Sequence, residues 1–199
     1  MTDKTTNMIS TKNYNLLPDS NTLKTICKAI SVLDAIISQD WEYRYYSYNS
    51  KWDKDEECFQ MRNGSGDEMH ILFREDGCVI NGFAHEYDQK DKGKLTQNLP
   101  TIFSEFIFGE PVKSIGTTFC LWTTEPKNSD GQHQTYLNWA SEYFEESYQE
   151  SGIPLDTVTK VYVGQTLTKE MVLSIVDDLE DWEKLKSDLT EINYPFDFK

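Results

Sequence analysis

The sequence predicts an α+β fold: helical apolar spacing marks both ends of the chain, β-favouring alternation marks the middle, and no strand–helix–strand unit recurs as a parallel sheet would require. The expected architecture is a central antiparallel sheet, built from a hairpin over about 68–84 and strands over about 41–49 and 117–124, packed by N- and C-terminal helices. With 199 residues the chain can bury roughly two thirds of the surface that its unfolded form exposes, enough for one core. Residues 1–17 read as a polar arm and 18–199 as a single domain, with no internal repeat and no linker.

Ser20 is a plausible N-cap for a helix to about Ser38, because Leu23, Ile26, Cys27, Ile30, Leu33, Ile36 and Ile37 recur at three-and-four spacing. After Asp40 the pattern alternates. It places Trp41, Tyr43 and Tyr45 on one strand face and Glu42, Arg44, Tyr46 and Tyr48 on the other. A charged stretch follows around Trp52–Glu57, and the two glycines of Arg62-Asn-Gly-Ser-Gly-Asp67 read as a turn. Apolar runs at Glu68–Arg74 and Cys78–Ala84 bracket Asp76-Gly77, a two-residue hairpin signal. A polar loop from Tyr87 to Asn98 leads to a short helix carrying Ile102, Phe103, Phe106 and Ile107, closed by Gly109 and Pro111. Thr117–Thr124 reads as a strand, and Tyr136, Trp139, Ala140, Tyr143, Phe144 and Tyr148 as a helical stripe ended by Gly152 and Pro154. Val158–Val163 reads as an edge strand. Thr168 is placed to cap a helix through Leu179 that continues or bends into Trp182, Leu185, Leu189 and Ile192.

The formal net charge is −15, and from Ala140 to Lys199 there are 14 acidic against 5 basic residues, so −9 of it is C-terminal. That sign repels a phosphate backbone and argues against nucleic-acid binding, while favouring a basic protein partner. Cys27, Cys58, Cys78 and Cys120 are far apart and spell neither a zinc nor a redox pair. The N-terminal residues carry no apolar run of signal-peptide type and no later stretch reaches the length of a membrane span, which predicts a cytoplasmic protein without membrane contact. The sequence assigns no oligomeric state.

Two constellations can carry function. Glu42, Arg44, Tyr46 and Tyr48, with Trp52 and Arg62 nearby, combine the amphipathic aromatics and arginines that enrich protein-binding surfaces. The other is acid/base chemistry by Glu68, His70, His85 and Glu86. Pairing Glu75 with Cys78 across an Asp76-Gly77 turn sets Ala84 opposite Met69 and His85 opposite Glu68, so a polar group of Glu68, His70 and His85 is geometrically conceivable. No HExxH spacing appears, the glycine-rich 62–67 segment lacks the Gly-Lys-Ser/Thr of a phosphate loop, and Ser65 is not followed by a helix as a nucleophile elbow requires. No metal and no cofactor is therefore expected. His133 stands alone.

The segments Trp-Glu-Tyr-Arg-Tyr-Tyr-Ser-Tyr-Asn-Ser-Lys-Trp (41–52), Arg-Asn-Gly-Ser-Gly-Asp-Glu (62–68), Gly-Phe-Ala-His-Glu (82–86) and Thr-Thr-Phe-Cys-Leu-Trp (117–122) resemble a family of uncharacterised bacterial proteins over about Leu17–Pro195. The resemblance implies a bacterial intracellular protein and carries over no functional residue. The leading expectation is a non-enzymatic binding protein, by compositional analogy with the small acidic immunity proteins of toxin systems. The alternative is a small hydrolase using the His/Glu group, with Arg44 or Arg62 holding an anionic substrate group.

Overall fold

Asp19, one residue before the expected cap, opens the first helix: its carboxylate accepts hydrogen bonds from the backbone N–H of Asn21 and Thr22, both at 3.0 Å, in a standard N-cap arrangement. Helix α1 (Ser20–Ile37) then buries an almost unbroken run from Ile26 to Ile36, more than the single face its spacing predicts. Such a helix must be covered on more than one side. The computed structural model describes residues 17–89, 91–124 and 152–199, and within them α1 packs between a sheet and the C-terminal helices.

The sheet is a five-stranded antiparallel meander in chain order: β1 (Tyr46–Asp53), β2 (Glu56–Arg62), β3 (Glu68–Arg74), β4 (Gly77–Phe83) and β5 (Phe119–Thr123). The fold is α+β, as the sequence predicts. Between β4 and β5 run the short helices α2 (Lys92–Leu95), α3 (Ser104–Phe108) and α4 (Val112–Ile115), and beyond β5 the described chain resumes with α5 (Leu155–Tyr162), α6 (Lys169–Ile175) and α7 (Trp182–Ile192). A parallel pair of two-residue strands, β6 (Leu167–Thr168) and β7 (Phe196–Asp197), ties the C-terminus down.

Each sheet face has its own apolar layer. Tyr48, Phe59, Ile71, Phe73 and Ile80 join α1 and the C-terminal helices in one cluster; Cys58, Leu72 and Val79 join Phe103, Phe106, Ile107 and Val112 in another. Alternation at period two puts these sets on opposite faces.

Four expectations need correction. Residues 41–43 form a 3-10 turn and the first strand starts only at Tyr46, because Asp40 caps the turn through the Glu42 N–H and Arg44 is drawn inward. The charged stretch before Arg62 contains strand β2, whose carboxylates are matched: Glu56 pairs with Arg74, and Glu57 with Lys24 and Lys28. The tip of the β3–β4 hairpin is Glu75-Asp76, since Arg74 pairs with Gly77. Gly77 is needed inside the ladder, at φ 146°, where an added Cβ would lie 2.1 Å from the Thr123 carbonyl oxygen. Lastly, Val158–Val163 is mostly helical: α5 buries Thr157, Val158, Val161 and Tyr162, a helical spacing that outweighs β-branched propensity. Thr168 does cap the following helix, accepting from Met171 N–H, though that helix ends at Ile175. The stripe from Tyr136 to Tyr148, His133 and the N-terminal arm to residue 16 lie outside the described residues.

Glu57 anchors α1 to the sheet. Its carboxylate meets the ammonium groups of Lys24 and Lys28 and accepts from the Tyr48 hydroxyl at 2.8 Å, while Lys28 also sits 5.1 Å over the Tyr48 ring. Burial pushes this carboxyl up, but the hydrogen bonds from Lys24, Lys28 and Tyr48 outweigh it and hold it below its ordinary value. Its stabilisation is thus present above the unfolded carboxyl pKa, about 4.5, and is lost as pH falls through the folded value. Glu57→Gln is expected to cost about 1–2 kcal/mol at neutral pH, read as a shift in urea midpoint, and to flatten the dependence on pH below about 4.5.

Candidate functional site

The chain leaves α1 through its C-cap Ser38 and then Gln39, and Arg44 supplies donors to the carbonyls of both. Its Nε donates to the Ser38 carbonyl at 2.7 Å and one terminal nitrogen to the Gln39 carbonyl at 2.9 Å, the same nitrogen meeting Asp188 of α7 at 2.5 Å. Only 5% exposed, Arg44 is a structural clamp and presents no binding surface. Arg62 reaches back from β2 to the same segment: its Nε donates to the Arg44 carbonyl at 3.0 Å, a terminal nitrogen donates to the Trp41 carbonyl, and the guanidinium lies 3.8 Å over the Trp41 ring.

Held this way, the turn displays the face that the sequence reading set aside. Trp41, Tyr43 and Tyr45 are 48%, 73% and 54% exposed, whereas Tyr46 is half-buried and Tyr48 is buried in the core. Glu42 and Trp52 are exposed, but Glu42 does not share a strand face with Tyr46 and Tyr48. Beside the turn lies an acidic loop. The Gln39 amide donates to the Asp181 carbonyl at 2.6 Å and accepts from the Asp181 N–H at 2.9 Å, which ties the segment before the aromatic turn to a loop with exposed Asp177, Asp178, Glu180 and Asp181, followed by exposed Glu183 in the first turn of α7.

The predicted His/Glu group does not assemble. In the observed register Glu68 faces Phe83 and His70 faces Asn81, and His85, past the end of β4, pairs instead with Asp67: its backbone N–H at 2.9 Å and ring Nδ1 at 2.7 Å meet one carboxylate oxygen. Hydrogen bonds from the His85 backbone and ring hold the Asp67 carboxyl below its usual range. Glu86 is exposed. Among the described residues no group of three or more His, Cys, Asp or Glu could hold a metal ion. No described helix is long and apolar enough to cross a membrane.

His70 has a different setting. Register places Ser47, Gln60, His70, Asn81 and Cys120 opposite one another across all five strands, a mostly polar row on the face that carries the second apolar layer. Asn81 is satisfied, donating to the Gly116 carbonyl at 3.0 Å and accepting from the Thr117 hydroxyl at 2.7 Å. His70, 1% exposed, has no hydrogen-bond partner at either ring nitrogen, and burial pulls its pKa down from 6.5 to about 4, so the ring is neutral at pH 7. It is among the residues that line a cavity of about 280 Å³, with Trp41, Trp52, Tyr48 and Glu191. Ser47, Asn49 and Gln60 supply further polar lining. The β1–β2 register shifts between Asn49 and Asp53, and within that irregular stretch Trp52 packs edge-on to Phe106 with ring centroids 6.5 Å apart.

Sequence reasoning missed Tyr43, Tyr45 and the acidic loop as neighbours, and it missed the row that joins Ser47 and Gln60 to His70. Knowledge of β2 and its pairing would have been the signal for the row. In comparison with known proteins, no family model matches the chain, and no curated protein or solved structure does either.

Proposed function

We propose that this is a non-enzymatic, cytoplasmic binding protein that engages a basic protein partner through the aromatic turn 41–45 and the acidic loop beside it. The observation that carries the reading is the exposure of Trp41, Tyr43 and Tyr45 on a turn fixed by Arg44 and Arg62. Aromatic side chains carried on a backbone that is already fixed need no backbone ordering on docking, and Trp, Tyr and Arg dominate the energetics of protein interfaces. The four carboxylates of the loop and Glu183 at the start of α7, within a chain of net charge −15, add long-range attraction for a basic surface and steer encounter. An immunity-type protein of a bacterial toxin system is the class that this acidic composition and surface chemistry suit best. The scattered His/Glu residues give hydrolysis no comparable support.

The test is capture from host lysate at low salt with a salt-step elution, run in parallel on the chain and on a Tyr43→Ala/Tyr45→Ala variant. A basic protein should be retained in near-stoichiometric amount, released by salt, and bound at least about 30-fold more weakly by the variant, while the unfolding midpoint stays within experimental error. Retention of nothing basic, or equal retention by the variant, would count against the reading.

A further inference from the structure

We propose that the cavity lined by Trp41, Trp52 and Glu191 receives one arginine side chain of the basic partner, with its guanidinium meeting the Glu191 carboxylate and its stem lying along the indoles. The inference rests on the reading of the 41–45 turn as the docking face, and Trp41 belongs to both turn and cavity. The groups that would meet the side chain can be reached from solvent. Trp41, Trp52 and Glu191 are exposed, and Ser47, Asn49 and Gln60 are partly so. Buried His70 and Cys58 complete the lining and are not contacts of the guanidinium.

Charge selects the occupant. Glu191 is the one charged side chain lining this cavity at pH 7, since His70 is neutral there. Among the described residues its carboxylate accepts no hydrogen bond and joins no ion pair; only its backbone carbonyl is engaged, by the Ser50 hydroxyl at 2.6 Å. The two cations that act on it, Arg44 and Lys184, both pair with Asp188, at 2.5 and 3.6 Å. Burial and Asp188 raise the Glu191 carboxyl in spite of them. A cation brought in by a partner would relieve that position, whereas a phosphate or carboxylate would be repelled.

Among cations, shape favours arginine over lysine. A guanidinium is planar, weakly hydrated and carries five N–H donors. Besides Glu191 it finds acceptors in the Ser47 hydroxyl, the Gln60 amide oxygen and the Asn49 amide oxygen, whose other lone pair takes the Lys51 N–H at 2.8 Å. A lysine ammonium is a compact, strongly hydrated charge with three donors, so it exchanges more hydration for fewer bonds. Arg62 already lies over the Trp41 ring at 3.8 Å, which leaves Trp52 to take the incoming cation. At about 280 Å³ the cavity lies just below the usual range of small-molecule sites and suits one long side chain.

The experiment titrates the full chain at pH 7 and low salt with N-acetyl-arginine amide, following the assigned indole N–H resonances by NMR, with the lysine and citrulline analogues as comparisons. The arginine probe should shift the Trp41 and Trp52 resonances and saturate with a dissociation constant below about 10 mM, the lysine probe should bind at least about threefold more weakly, and the uncharged citrulline probe should not saturate. Glu191→Gln should weaken the arginine probe at least about fivefold and the captured partner about tenfold. Because this variant removes a charge that the fold disfavours, it should unfold at the same urea concentration or a higher one. No saturation by the arginine probe, lysine or citrulline binding as tightly, or undiminished probe and partner binding by Glu191→Gln would each overturn the inference. Such a result with capture still lost in Tyr43→Ala/Tyr45→Ala leaves the docking face standing. Capture of no basic protein removes the docking face, and with it the partner's arginine, even where the probe binds.

Discussion

Arg44→Ala is expected to destabilise the protein by about 3–5 kcal/mol, the largest single-residue effect that the structure predicts. The side chain holds the segment leaving α1 through the Ser38 and Gln39 carbonyls and crosses to Asp188, whose side chain is only 12% exposed. Truncation would leave that carboxylate in a half-dry site with Lys184, 3.6 Å from its other oxygen, as its remaining cation. The cost arises from the orphaned charge more than from the lost attraction, so Asp188→Leu in the Arg44→Met background should recover part of it. Urea unfolding of the two single variants and the double variant measures this, with an unchanged slope showing that the unfolded state is the same. If each single variant lost less than about 1 kcal/mol, Arg44 would be behaving as a surface ion pair and the clamp assignment would be wrong.

Acidification is expected to remove about 3 kcal/mol of stability between pH 6.5 and 4, through His70 alone. Burial depresses its pKa in the folded chain, so between those two values the unfolded state binds a proton that the native state refuses. Stability is therefore complete above about 6.5 and falls with pH until the native ring itself protonates near 4. The groups around the ring are Cys58, Gln60, Asn81 and, across the cavity, Glu191, whose own carboxyl is pushed up by burial and by Asp188. None supplies a strong counter-charge at close range. His70→Gln should remove this fall and leave the opposite contribution of Asp34 and Glu191, whose raised carboxyls gain stability as pH falls, with the Glu57 transition at lower pH in place. A slope that persisted in His70→Gln would assign the acid sensitivity elsewhere.

How much of this was readable beforehand depends on whether local pattern or long-range pairing decides each element. The apolar spacing of Ile26, Ile30, Leu33 and Ile37 marks α1 without help from the rest of the chain, and the two apolar runs around residue 76 mark a hairpin. The hairpin register was not local. It was set by Gly77 meeting the Thr123 carbonyl of a strand some 46 positions later, which moved the tip by one residue and uncoupled His85 from Glu68. Strand β2 was hidden because Glu56 and Glu57 look solvated until Arg74, Lys24 and Lys28 arrive from other elements. The same holds at the proposed surface. Alternating aromatics at 41–46 read as a strand, yet Asp40 and the inward pull on Arg44 curl them into a turn, exchanging which side chains face outward. Composition had already marked the acidic C-terminal region, but only the Gln39–Asp181 pair of hydrogen bonds brings it to the turn.

The central claim is that the aromatic turn and the acidic loop form one docking surface, and amide hydrogen exchange of the chain with and without its captured partner tests it most directly. The account predicts added protection at residues 39–45 and 177–183 together. Protection confined to other segments, or to only one of these two, would contradict it.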